Sequence, residues 1–347
     1  MFKFFIMKKQ ILFFAAFLMS ASALFAQTHY YSGNPFTSTS PLATAVEVQT
    51  ANRDCIECDV PQVQTVTYDA IDGENMSLVN QRGDYNSAGI NQIGSTNYSV
   101  IVQDGFDGYL GTGGTYNDAN VSQDGNKNYS DVGQFGDYND SDVIQKGNEN
   151  YAKQLVGGGW AEENVTYVRQ IGDGNASSQT QWYDGNTARV EQLTNNNDAT
   201  QLQTSTDSHT AGTGNYASIW QYGGDENASS QTQTGTYNYA GDEQNGMGNV
   251  ANTVQVGSSN VGFYGTFYTN ASSIVQFGDN NLACVDQAVA DGSNSVNGSA
   301  IFQFGNDNKA GVTQKASELN SVGNLSFITQ LGNSNTASVM QINGIAF

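Results

Sequence analysis

From Asn75 onward, small, apolar and amide residues alternate with mixed ones in short arms of one design. Each arm runs Asn, any residue, Ala or Ser, any residue, a position mostly held by Val or Ile, any residue, Gln. Asn86 to Gln92 is one copy, and Asn97 to Gln103 follows. Twenty complete arms begin at Asn residues 75, 86, 97, 117, 128, 139, 164, 175, 186, 197, 215, 227, 238, 249, 270, 281, 297, 308, 324 and 335. Two further arms, at Asn150 and Asn260, lack the closing Gln. The third position is Ala or Ser in nineteen of the twenty, Thr166 being the exception, and the fifth is Val or Ile in fifteen, which rules out a chance origin. Side chains two apart on a β-strand point to one side. Each arm therefore reads as a seven-residue strand with Asn, Ala/Ser, Val/Ile and Gln on one face. The positions between are mixed (Tyr98, Asp142, Arg189, Glu191), which suits a solvated face.

After the Gln comes a variable residue and then, in fourteen arms, Gly; Gly83, Gly94, Gly136, Gly278 and Gly332 are examples. Gly there permits a tight chain reversal, helped by the Asn, Asp and Ser around it. Two arms make one strand–turn–strand layer. The sequence predicts an all-β fold over residues 75–347, a parallel two-sheet β-solenoid of about eleven strand–turn–strand repeats, amyloid-like in its interior. In such a stack each buried amide can donate to the copy on one side and accept from the copy on the other. A one-residue slip would bury the charged face, so the ladders fix the register.

Extra residues fall at 106–115, 157–159, around 206–212, 290–294 and 316–320, between arms, while the Asn-to-Gln spacing survives. A solenoid accepts additions in its turns and not in its strands. Pro35, Pro41 and Pro61 all precede the repeats, as expected where each central strand needs its N–H. Upstream, Lys8 and Lys9 precede an apolar run from Ile11 to Leu18, and small residues follow up to Ala26. That is the layout of a secretory signal peptide, expected over residues 1–26 and followed by an irregular segment over 27–74.

Charge and chemistry narrow the function classes. Asp and Glu total 33 against 12 Lys and Arg, a net charge of −21. So acidic a surface repels nucleic acid and anionic membrane, and neither nucleic-acid binding nor membrane insertion is expected. Three cysteines cannot build a full disulfide framework. Cys55 and Cys58 read as a local disulfide or a pair of thiols, with no second pair or nearby His to complete a zinc site, and Cys284 stands alone with no role assigned. His29 and His209 have no recognisable catalytic partner, and the acids lie at turns and outer positions where solubility explains them. No catalytic, metal-binding or cofactor-binding residue emerges, and the chain is not expected to be an enzyme. Gly and Asp in the turns raise a calcium-binding β-roll, but the eleven-residue period does not match its nonapeptide. The outward aromatics Tyr98, Tyr129, Tyr151, Tyr216, Trp220 and Tyr239 fit either ordinary strand propensity or adhesive stripes.

The phrase Gln-x-Gly-x-x-Asn-x-Ala-x-x-x-Gln, as in Gln81 to Gln92, resembles the curlin-associated repeat of curli fibre subunits, and the resemblance spans about 75–347. It implies a secreted structural subunit of a functional amyloid fibre on the bacterial surface, serving adhesion and biofilm matrix. It implies as partners the chain itself, a curli-like nucleator and an outer-membrane export pore, with 27–74 holding the sequence the pore reads. In that family, terminal amide ladders control nucleation and docking. The matching positions are Gln81, Asn86 and Gln92 at the start, and Gln330, Asn335 and Gln341 at the end. Open first and last rungs give an independent physical reason, since unpaired β edges invite head-to-tail stacking. Two departures stand out: the chain has more repeats than the familiar major subunit, and both arms of each pair start with Asn. The uniform arm is closer to the minor, nucleating subunit, whereas length and low basic content favour the major one. A secreted calcium-binding β-roll adhesin is the further alternative.

Overall fold

The computed structural model describes residues 74–104, 114–157, 161–205, 214–258, 268–290, 295–316 and 323–343. The expected signal peptide, the segment up to residue 73 with Cys55 and Cys58, both histidines and the arm at Asn260 lie outside the described residues. The described residues hold twenty-one strands and no helix. One eleven-stranded sheet comprises β1 (Met76–Arg82), β3 (Tyr98–Asp104), β5 (Tyr129–Gln134), β7 (Tyr151–Gly157), β9 (Ala176–Trp182), β11 (Asp198–Thr204), β13 (Ala228–Gly235), β15 (Val250–Gly257), β17 (Leu282–Val289), β19 (Lys309–Ala316) and β21 (Thr336–Asn343). The ten-stranded sheet comprises β2 (Ser87–Ser95), β4 (Asp118–Asn126), β6 (Asp140–Lys146), β8 (Val165–Ile171), β10 (Thr187–Gln192), β12 (Tyr216–Tyr222), β14 (Asn238–Asn245), β16 (Asn270–Phe277), β18 (Asn297–Phe304) and β20 (Leu325–Leu331).

Each strand pairs in parallel with the strand two along the chain, so successive arms alternate between the sheets. Like positions face like positions: Gln81 pairs Gln103, and Gln92 pairs Gln123 although residues 105–113 intervene. Every complete arm becomes a strand, and the arm at Asn150 becomes β7 with Val156 in the place of Gln. The inner faces meet across a buried interior. Its apolar part falls into two clusters, one running from Ala88 to Ile219 and the other from Ala251 to Ile328.

The turns are built on left-handed backbone. Gly83, Gly94, Gly136, Gly278 and Gly332 have φ of 108°, 104°, 131°, 103° and 95°. Gly94, Gly136 and Gly278 lie so close to the next rung that an added Cβ would collide with a backbone carbonyl, that of Ala161 in the case of Gly136. The residue just before the arm's Asn is also left-handed in many arms, including Tyr85 (φ 59°) and Lys127 (φ 56°).

The outward face differs from expectation in that it is not uniformly solvated. Tyr98, Tyr129 and Tyr151 stack at centroid separations of 5.2 and 5.1 Å, and Tyr129 and Tyr151 are buried. Glu191 pairs with Arg169 at 3.3 Å and with Arg189. In-register parallel pairing sets outer side chains about 4.8 Å apart, so flat rings cover one another and opposite charges meet. Cys284 is buried and disulfide-bonded, which corrects the expectation that it stands alone.

Candidate functional site: amide ladders and open edges

The arm's first residue is an inward Asn, and its amide reaches back along the stack. Asn97 donates its backbone N–H and its Nδ2 to Asn75 Oδ1, at 3.0 and 3.2 Å. The side-chain link repeats without interruption through all odd strands, ending with Asn335 to Asn308. It repeats equally through all even strands, from Asn117 to Asn86 up to Asn324 to Asn297. In most arms the remaining donor is used near the turn, as when Asn128 Nδ2 meets the Gly147 carbonyl at 2.8 Å.

The closing Gln runs the opposite way. Gln92 Nε2 donates forward to Gln123 Oε1 at 2.9 Å, and the chain of donors continues through all even strands to Gln330. From Gln92 onward, a second proton of each ladder Gln goes to the opposite sheet, to the carbonyl at the start of the preceding strand. Gln92 bonds Met76 O, Gln103 bonds Ser87 O and Gln134 bonds Asp118 O, each sixteen residues back. The two ladders are therefore antiparallel in polarity, and the Gln ladder also ties the sheets together. Such a network is cooperative, and buried amides within it are satisfied rather than costly.

In the odd sheet the Gln ladder is interrupted once. It runs from Gln81 to Gln134, meets Val156, and resumes at Gln181 to reach Gln341. At the break Gln134 turns to Ser141 Oγ at 2.9 Å, and the Oε1 of Gln181 is buried without a partner. Beside it lies a row that pattern reading passed over. Fifth-position residues Gln154, Gln179, Gln201 and Gln231 form their own ladder at 2.8–3.0 Å. Next in this layer is Asp242, which stands where most arms have Val or Ile. Ser229 Oγ donates to its carboxylate at 2.8 Å and Thr253 Oγ1 at 3.4 Å, and burial pushes its pKa up to about 7. Burial also raises Asp140 and Asp198 to about 6, with Asp142 and Asp118 adding repulsion at Asp140. The five exceptions to the Val/Ile position were the signal for this polar layer.

Among the described residues both ends are open: β1 and β2 have a strand partner on one side only, as do β20 and β21. At the first edge Gln81 and Gln92 donate into the stack, and no described residue donates to their Oε1 atoms. At the last edge Gln330 and Gln341 accept from Gln303 and Gln314, and each donates only one proton, to Lys309 O and Leu325 O. The Asn ladders are left with the reverse complement, since Asn324 and Asn335 Oδ1 receive no donor among the described residues. Among the described residues one end thus offers Gln acceptors and the backbone N–H groups of Asn75 and Asn86, and the other offers Gln donors and Asn acceptors. Exposed apolar residues gather at the same places: Met76 and Ile93 at one end, Leu325, Phe327, Leu331, Met340 and Ile342 at the other.

These features define a parallel two-sheet β-solenoid with an amide-laddered interior and, among the described residues, two unpaired edges. Within it, the family model of the curlin associated repeat matches residues 114–147, the stretch that holds β4, β5 and β6. No curated protein matches the chain. The strand–turn unit of the matched stretch recurs along all the described residues with the same pairing register.

Proposed function

We propose that the chain is a structural subunit of an extracellular curli-like amyloid fibre, assembled by head-to-tail stacking of solenoids. The observation that carries this reading is the complementarity of the two open edges, where the amide donors of one end answer the acceptors of the other. An unpaired strand edge is a template for another strand, and a heterologous joint that does not close on itself yields a filament. The curlin repeat at 114–147 supports the same reading, because curlin repeats belong to fibre subunits rather than to enzymes. The terminal residues Gln81, Asn86, Gln92, Gln330, Asn335 and Gln341 are the proposed docking ladders. A bulk subunit fits better than a nucleator, because every copy offers both a receiving and a presenting end. Secretion, a separate nucleator, an export pore and a role in adhesion and biofilm matrix belong to this proposal.

The test is assembly of the chain from residue 27 onward, without metal or cofactor. The expected result is fibres with a meridional reflection near about 4.7 Å. A chain that stays monomeric for days at high concentration overturns the reading, and folding that requires calcium would favour the β-roll.

A further inference from the structure

We infer that successive copies in the fibre are related by a half turn, so that the odd-strand sheet of one copy continues as the even-strand sheet of the next. This rests on the head-to-tail reading above. The solenoid advances by one operation per arm rather than per pair of arms. The Gln-to-carbonyl bond sixteen residues back is the same from even to odd strands (Gln92 to Met76) as from odd to even (Gln103 to Ser87). Each arm therefore follows the last by a half turn and half a rung. Among the described residues the count of strands is odd, and β21 lies in the odd sheet. The next vacant place is then on the even sheet, above β20. The next copy's β1 takes that place, and its β2 sits on β21.

The outward side chains support this crossed joint. Position by position, it sets Leu325 against the next copy's Met76, Phe327 against Leu78, and Ile342 against Ile93. Leu325, Phe327 and Ile93 are 64%, 55% and 57% exposed, so these contacts remove water from several of the exposed apolar groups at the ends. The flush alternative, with β1 on β21 and β2 on β20, sets Leu325 against Ser87, Phe327 against Gly89 and Ile342 against Arg82. Only Leu331 fares better there, against Ile93 instead of the Arg82 stem. The interior does not discriminate, since Asn meets Asn and Gln meets Gln in both joints. The apolar rim selects the crossed one.

The two joints give Ile93 different partners. Ile93→Cys chains are co-assembled with Ile342→Cys chains, and separately with Leu331→Cys chains, then oxidised, digested and mapped by mass spectrometry. All three sites are exposed at the ends, and strands about 4.8 Å apart are within disulfide reach. In parallel, fibres of the unmodified chain are reconstructed by electron cryomicroscopy. The expected result is a 93–342 cross-link with little or no 93–331 cross-link, and a half turn between successive copies beyond the gradual sheet twist. A dominant 93–331 link with no half turn overturns the crossed joint and leaves the fibre reading intact. Fibres in which neither link forms and the sheets do not run on between copies overturn it as well. Failure of the unmodified chain to form fibres removes the fibre reading itself.

Discussion

At the scale of single residues, the interior is held by amides whose direction is set by neighbours. Val156 tests this, because it is the one inward closing position among the described strands that lacks Gln. Val156→Gln would give Gln134 an acceptor and supply the donor that the buried Gln181 Oε1 lacks. β9 already carries Gln at both of its last two inward positions, so the added amide has a precedent one rung away. Satisfying a buried acceptor is worth roughly 1–3 kcal/mol. The variant is therefore expected to shift the denaturation midpoint upward, as read by urea titration.

Asp242 acts in the opposite sense. Its folded pKa of about 7 lies above the ordinary carboxylate value of 3.8, so the folded state binds the proton more tightly. Below about pH 4 both states hold it, and the residue costs little. As pH rises from about 4 to about 7 the unfolded chain releases its proton first and stability falls; above that the loss is complete. Asp242→Asn is expected to raise stability at pH 8 and leave it nearly unchanged at pH 4, measured by unfolding at both values. Asp140 and Asp198 are displaced the same way, so a shallower decline should remain in the variant.

At the scale of elements, the strand and its turn were legible because each rests on a spacing. Asn, Ala/Ser, Val/Ile and Gln at alternate positions identify a face, and Gly two residues past the Gln identifies the reversal. What spacing does not carry is orientation. That Asn donates backward and Gln forward follows from which carbonyl lies within reach once the rungs stack. The left-handed residue before Asn was hidden because Tyr85, Lys127 and Glu149 are not turn formers by composition. The tyrosine stack was hidden because Tyr98, Tyr129 and Tyr151 are 31 and 22 residues apart, and only the pairing register brings them together. The turn glycines give a direct stability test. Gly136 combines φ of 131° with a Cβ position blocked by the Ala161 carbonyl, so Gly136→Ala is expected to cost at least about 2 kcal/mol, read from the denaturation midpoint.

At the scale of the whole solenoid, the number and order of strands were nearly all present in the count of arms. The degenerate arm at Asn150 could not be assigned from its residues alone, because its Gln was missing. Pairing of Tyr151 with both Tyr129 and Ala176 makes it a full member of the odd sheet. That single strand makes the described total odd, on which the proposed joint between copies rests. The Asn ladder passes through it unbroken, so Asn rather than Gln is the continuous register key of the odd sheet.

Gly332 offers the most direct measurement on the central claim that the solenoid continues from copy to copy. Within one chain its Cβ position is open, with Asn335 Nδ2 the nearest atom at 3.9 Å. One rung earlier, a Cβ on Gly305 would collide with the Gly332 carbonyl, and in a continuous stack Gly332 would meet a turn carbonyl of the next copy in the same way. Gly332→Ala chains and wild-type chains are offered to preformed wild-type seeds, with thermal unfolding of each free chain measured alongside. The expected result is a variant that is destabilised by the strain of its φ of 95° but still folded at the assay temperature, that does not sustain elongation and that, added in small amounts, caps wild-type growth at one end. A variant that is folded at the assay temperature and elongates seeds at the wild-type rate would contradict head-to-tail continuation of the solenoid.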